Sequence, residues 1–105
     1  MARRNEIDYV TISSTGNATD FGDLTASKIG MASCGSTTRL VIGGGYDGSY
    51  TNVIEYLTIS STGNGTDFGD LTLGRSSPAG CSNSTRGIFS TGFHGASGAV
   101  GNNID

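Results

Sequence analysis

The sequence predicts an all-β fold built from a repeated, antiparallel, four-stranded unit. Three observations predict it. The stretch IDYVTISSTGNATDFGDLT from Ile7 returns as IEYLTISSTGNGTDFGDLT from Ile54, with 16 of 19 positions identical at an offset of 47. Short β-branched runs are separated by glycine-rich turns, and 18 glycines stand against one proline, Pro78, and no tryptophan; that pattern reads as strands. Leu, Ile, Val and Phe make only 21 of the 105 residues. A core so poor in large side chains needs neighbouring units to complete it at this length.

The elements follow in order. Strand A is expected over residues 28–35. Strand B is the continuous apolar run RLVIGG from Arg39. Strand C is VIEYLTIS from Val53, with Ile54 and Tyr56 on one face and Val53, Leu57 and Ile59 on the other, so it is expected to be buried on both faces. The turn STGNGT follows, with Gly63 and Asn64 suited to positive φ. Strand D is expected over residues 66–71. The likeness continues more loosely, since ASCGSTTRLVIGGGYDG from Ala32 lies over AGCSNSTRGIFSTGFHG from Ala79 at the same offset. A period of 47 with four short strands predicts a β-propeller blade.

The phase of the repeat divides the chain into a leader (1–6), a C–D half blade (7–25), a complete blade (26–72) and an A–B half blade (73–105). Two blades cannot close a ring, and half blades leave open edges that invite pairing. The expectation is a fragment of a longer array, natural or engineered, that assembles head to tail. One chain's A–B half then completes the next chain's C–D half. A homotrimer of six blades is the first choice and a tetramer of eight the second.

The run RLVIGGGYDGSYTNVIEYLTI from Arg39 resembles a kelch repeat: an apolar strand ends in Gly43 and Gly44, a loop carries Tyr46, Asp47 and Gly48, and Asn52 leads into a strand with Glu55 and Tyr56. Phe68 stands where that family has a tryptophan, and Arg75 where it has a basic residue; Phe21 and Lys28 match them in the other copy. The departures are the missing tryptophan and Ser90-Thr91-Gly92 in place of a triple glycine. The resemblance implies a propeller and no particular chemistry. The near-identical copies are also similar to repetitive phage and metagenomic propeller proteins.

Asp-Phe-Gly occurs twice, at Asp20 and Asp67. This triplet holds magnesium in protein kinases. A kinase also needs a glycine-rich nucleotide loop, a strand lysine and a catalytic-loop aspartate, and 105 residues cannot hold that fold. The motif reads as packing: Phe21 and Phe68 as wedges onto the next blade, with Asp20, Asp23, Asp67 and Asp70 outward or tying the turn. Tyr9, Tyr56, Cys34 and Cys81 are expected in the same blade packing. The two cysteines are 47 apart. Equivalent positions in neighbouring repeats rarely meet at bonding distance, so both are expected as free, buried thiols.

A net charge of −3 excludes a nucleic-acid or anionic-membrane surface as the function. No apolar run approaches the roughly 18 residues of a membrane helix, and no signal peptide opens the sequence; the chain is read as soluble, with no compartment assigned. Tyr46 and Asp47 on the B–C loop, with Phe93 and His94 as counterparts, form a candidate ligand loop that could stack on a sugar. The alternative is that the aromatics cover the blade edge and Asp47 starts a turn. His94 has no visible orienting partner or nucleophile, so no catalytic residue is assigned. No metal or other cofactor is expected. Asn17, Asn64 and Asn83 head glycosylation sequons that read as turn chemistry copied with the repeat. Arg39 and Arg86, opening strand B in each copy, are expected to pair with acids of a neighbouring blade, the alternative being that they face the central channel. Two functions remain: a self-assembling structural module without catalysis, partnered by itself, or a multivalent carbohydrate-binding module using the B–C loops.

Overall fold

The computed structural model describes residues 3–94, 99–100 and 104–105. The described chain is all-β and contains no helix, hence none long and apolar enough to cross a membrane. Ten strands form: β1 (Arg4–Tyr9), β2 (Thr19–Lys28), β3 (Ala32–Gly35), β4 (Arg39–Gly43), β5 (Val53–Thr58), β6 (Thr66–Asp70), β7 (Ala79–Ser82), β8 (Gly87–Ser90), β9 (Phe93–His94) and β10 (Ala99–Val100). They make four antiparallel sheets, ordered β1-β2, β3-β4-β5-β6, β7-β8 and β10-β9.

The central sheet is the complete A–D unit read from the sequence. Its first strand is shorter than expected, because Lys28 belongs to the end of β2, where it pairs with Arg4. The first pair likewise begins at Arg4, inside the expected leader, and β2 crosses the expected boundary at residue 25.

Strand alternation divides the central sheet into two apolar faces. Leu40, Ile42 and Leu57 face the β1-β2 pair and pack with its Ile7, Phe21 and Leu24. Cys34, Val41 and Ile54 face the β7-β8 pair and pack with Phe89 and Leu71. Strand C is therefore packed on both sides, but unequally: Glu55 and Leu57 are buried on one face, Ile54 and Tyr56 only half-buried on the other, where the sequence predicts burial on both; Ile59, beyond its end, is exposed.

The first strands of successive units lie close. Ser82 Oγ donates to Gly35 O at 2.7 Å and accepts from Gly35 N at 3.0 Å. At the opposite side of the sheet the C–D turn docks on the preceding outer strand. Gly63 N donates to Phe21 O at 3.0 Å, Gly65 N to Asp23 O at 2.8 Å, and Asp23 N to Asn64 Oδ1 at 3.0 Å.

The Asp-Phe-Gly motif sits at a β-bulge in both copies. Ile7 pairs with Gly22 and Asp8 with Asp20, so Phe21 is the extra residue. Ile54 pairs with Gly69 and Glu55 with Asp67, so Phe68 is the extra residue. A bulge re-aims one side chain and bends the strand. Asp20, Asp23, Asp67 and Asp70 are all exposed, as the sequence predicts.

Gly22 has a steric role that its repeat partner lacks. A Cβ at Gly22 would fall 2.0 Å from Gly63 O, whereas a Cβ at Gly69 meets nothing within 4 Å. We expect Gly22→Ala to lower thermal stability and to expose the Gly63 and Gly65 amides to exchange. Gly69→Ala should leave folding within about 0.5 kcal/mol of wild type, as at an open surface position. Equal melting shifts in the two variants would contradict the docked turn.

β4 ends where the backbone turns left-handed, at Gly44 (φ 75°) and Gly45 (φ 112°). Gly45 N then donates to Arg75 O at 2.8 Å, an approach that leaves little room for side chains. In the second copy Gly92 keeps this conformation, and Thr91 enters it at φ 60°. The triple glycine can thus be degraded to Ser-Thr-Gly, with strain held at Thr91.

Candidate functional site

Two charge clamps, the first buried and the second with a partly exposed acid, join successive sheets. Lys28 and Glu55 are almost fully buried, with Nζ 2.7 Å from Oε2. Glu55 Oε1 also accepts from Thr25 N at 2.8 Å. In the second clamp, 47 residues on at its cation and 50 at its acid, Arg75, fully buried, donates from Nη2 to Asp105 Oδ2 at 2.7 Å. Asp105 also accepts from Thr72 N at 2.9 Å and from Thr72 Oγ1 at 2.6 Å. Thr25 and Lys28 correspond to Thr72 and Arg75, and Glu55 to Asp105. Each connector from strand D thus holds the acid of the next strand C.

Neither acid was assigned a buried role from the sequence. Glu55 appeared only as part of a family pattern. The available signal was the co-occurrence of a cation at positions 28 and 75 with an acid after isoleucine at positions 8, 55 and 105. The third acid, Asp8, is exposed.

Burial alone would raise the Asp105 carboxyl, but the Thr72 hydroxyl, the Thr72 amide and the Arg75 guanidinium hold it below the ordinary carboxylate range. A depressed folded-state pKa contributes stability above the unfolded value and loses it as pH falls through the folded one. The attachment of residues 104–105 should therefore be intact at neutral pH and weaken only below about pH 4, near the unfolded aspartate value. A Thr72 amide-shift titration by NMR should follow this course in the wild type and be flat through the acid range in Asp105→Asn. A Thr72 transition near neutral pH would contradict it.

An apolar strip surrounds the second clamp. A cavity of about 180 Å³ is lined by Val41, Ile54, Phe68, Leu71, Phe89 and Asp105, among others. It adjoins a groove of about 380 Å³ between the turns carrying Arg39 and Arg86, again bordered by Phe68. The equivalent strip at the first interface is filled: Leu57 packs against Leu24 there, and the Gly63–Asn64–Gly65 turn covers β2.

This difference corrects one expectation. Phe21 is partly buried, edge-on to Tyr9 at 5.9 Å, whereas Phe68 is 53% exposed and touches Tyr56 edge-on at 6.1 Å. Within the single chain Phe68 is not a covered wedge, because the β7-β8 pair packs near the first strands of the central sheet and leaves β6 bare. Tyr9 is also 41% exposed, while Tyr56 is half-buried beneath Arg39, whose guanidinium carbon lies 4.2 Å from the ring centroid. Arg39 therefore stacks on an aromatic ring instead of pairing with a neighbouring acid. Arg86 is exposed and makes no ion pair among the described residues.

The cysteines divide in the same way. Both are free. Cys34 is buried against Leu71 and Phe89, and burial pushes its thiol up, with nearby Cys81 adding to the shift. Cys81 is exposed, contrary to expectation, because no further sheet among the described residues lies on the outer face of β7.

The loop aromatics hold backbone. Tyr46 forms an isolated bridge with Ile29, and Phe93 forms the equivalent bridge with Ser76. Asp47 Oδ1 accepts from Ser49 N at 3.2 Å, so it ties a turn. The Tyr46 and Tyr50 rings meet edge to face at 5.2 Å and border a cavity of about 450 Å³ with Ile29, Gly30, Ser76 and Ser77. The side chain of His94 lies outside the described residues. Of the three sequon asparagines, Asn83 ties its own turn, accepting from Arg86 N at 2.8 Å, and Asn64 bridges to Asp23. Asn17 is exposed. Among the described residues no group of three or more His, Cys, Asp or Glu side chains is placed to hold a metal ion.

The chain matches no protein-family model and no curated protein.

Proposed function

We propose that this chain is a self-assembling structural module of the β-propeller type, kelch-like in its repeat, with no catalytic activity of its own. Its sheets are blades, and head-to-tail contacts between copies complete the ring, as a trimer in first place and a tetramer in second. One observation carries the reading. The same clamp, Thr25–Lys28 on Glu55 and Thr72–Arg75 on Asp105, recurs at two successive interfaces. A contact that repeats with the sequence propagates a stack, and a stack with constant rotation can close. The apolar strip beside the second clamp is the surface such a stack would cover.

Light scattering on the 105-residue chain of 10.7 kDa tests this. A closed trimer has a mass of about 32 kDa and a tetramer about 43 kDa, with stability that rises with protein concentration. A folded monomer at every concentration would end the reading.

A second reading rests on the 450 Å³ cavity between Tyr46 and Tyr50, which offers aromatic faces and serine hydroxyls to a sugar. In assembled form it would be multivalent. Glycan-array binding that is lost in Tyr50→Ala without a change in mass would favour it.

A further inference from the structure

We infer that the free edge of β8 and the apolar strip over β6 bind the β1-β2 pair of a second copy of this chain, with Ile7–Asp8 of that copy replacing Ile104–Asp105. The inference rests on the assembly reading above and specifies its contact.

The register is already visible within the chain. Ser90 bridges Ile104, and Phe89 exchanges backbone hydrogen bonds with Asp105. These pairs are equivalent to Gly43 with Ile54 and Ile42 with Glu55 in the central sheet. Residues 104–105 therefore occupy the first two places of a strand C. The side chains they present are isoleucine and aspartate, and so are those of Ile7 and Asp8. Exchange costs neither the Arg75 ion pair nor the ladder bonds of Phe89. Beyond Asp8 of the second copy the ladder continues as Tyr9 opposite Ile88 and Val10 opposite Gly87, by the register Val41–Tyr56 and Leu40–Leu57.

The side chains that the strip lacks are those that the first pair leaves bare. Leu57, buried against Leu24, corresponds to Val10, which is 55% exposed. Val10 of the second copy enters the 180 Å³ cavity beside Leu71 and Phe68. The Gly63–Asn64–Gly65 turn that docks on β2 corresponds to Gly16, Asn17 and Ala18. Nothing stands within 4 Å of a Cβ at Gly16 or at Gly69, so both sides of this second docking are open. Asn17 Oδ1 then accepts from Asp70 N as Asn64 does from Asp23 N. The acids fit the same scheme. A Cβ at Gly65 would clash with Glu55 Oε1, and where the repeat has Ala18 the acid is the shorter Asp8.

The test uses two variants of the whole chain with opposite faces blocked. Gly69→Val puts a side chain where the second copy's turn docks. Val10→Asp puts a charge on the residue that fills the cavity. Both positions are open in the single chain, so each variant should keep wild-type far-UV circular dichroism. Light scattering should show an assembled wild type and a mass near 10.7 kDa for each variant. Mixing the variants should restore one contact, because each retains the face that the other has lost. The product should be a 1:1 dimer of about 21 kDa and nothing larger, since a heterologous contact with one end blocked cannot propagate. An assembled wild type whose mass is unchanged in both variants would overturn the inference and leave self-assembly standing. A wild type that stays monomeric would overturn both. Monomeric variants that do not pair on mixing would overturn the proposed contact alone.

Discussion

Glu55→Ala should be among the most damaging single substitutions in this chain, lowering stability by about 3–5 kcal/mol. The side chain is fully buried, and its two oxygens serve two donors on another sheet: the Thr25 amide at 2.8 Å and the Lys28 ammonium at 2.7 Å. Truncation leaves a buried ammonium without its counter-charge and a backbone N–H without its acceptor. Removing a partner from a buried pair is costly even where the pair itself adds little net stability, because desolvation is then uncompensated. The double variant Glu55→Leu with Lys28→Met should recover much of the loss, since it removes both charges and keeps volume. Urea unfolding at fixed protein concentration measures this as a shift in midpoint. A Glu55→Ala midpoint within error of wild type would show that the pair is open to water. A double variant as unstable as the single one would show that the Thr25 bond, and not the charge, carries the effect.

That clamp also marks where the sequence could be read and where it could not. The central sheet was legible because β-branched alternation, glycine turns and a 47-residue period all favour the same four strands. Their observed ranges differ from expectation mainly at the start of the first strand. The bulge was not legible. Period-2 alternation through Thr66–Asp70 gives no sign that Phe68 is the unpaired residue, since a bulge is set by the pairing partner. The clamp was half legible. An acid in an apolar strand and a cation 27 residues earlier are each unremarkable alone, and only the sheet-to-sheet geometry makes them partners. The exposure of Phe68 and Cys81 was not legible either. Repeat identity equates Phe68 with Phe21 and Cys81 with Cys34, but burial depends on which sheet lies opposite, and that differs between the copies.

Phe89→Ala should cost about 3–5 kcal/mol, the range for truncating a well-buried phenylalanine. Phe89 is only 4% exposed and packs with Cys34 and Leu71, closing the contact between the β7-β8 pair and the central sheet. Its ring already lies against Gly43, where a Cβ would stand 3.1 Å from Cε1, so the small residue there leaves room for the ring. Truncation would enlarge the existing 180 Å³ cavity, which Phe89 lines, and open it to water. Phe68→Ala is the internal comparison. That ring borders the same cavity but is half exposed, so at dilution it should cost only about 1 kcal/mol in proportion to the apolar area it hides. Its larger effect should appear as weaker association, because the contact proposed above covers it. Urea unfolding at low protein concentration separates the two: a large midpoint shift for Phe89→Ala, a small one for Phe68→Ala. Mass against concentration supplies the other half, with Phe68→Ala dissociating at higher concentrations than wild type. Equal midpoint shifts would mean that Phe68 is as buried as Phe89, and the bare outer strand would be wrong.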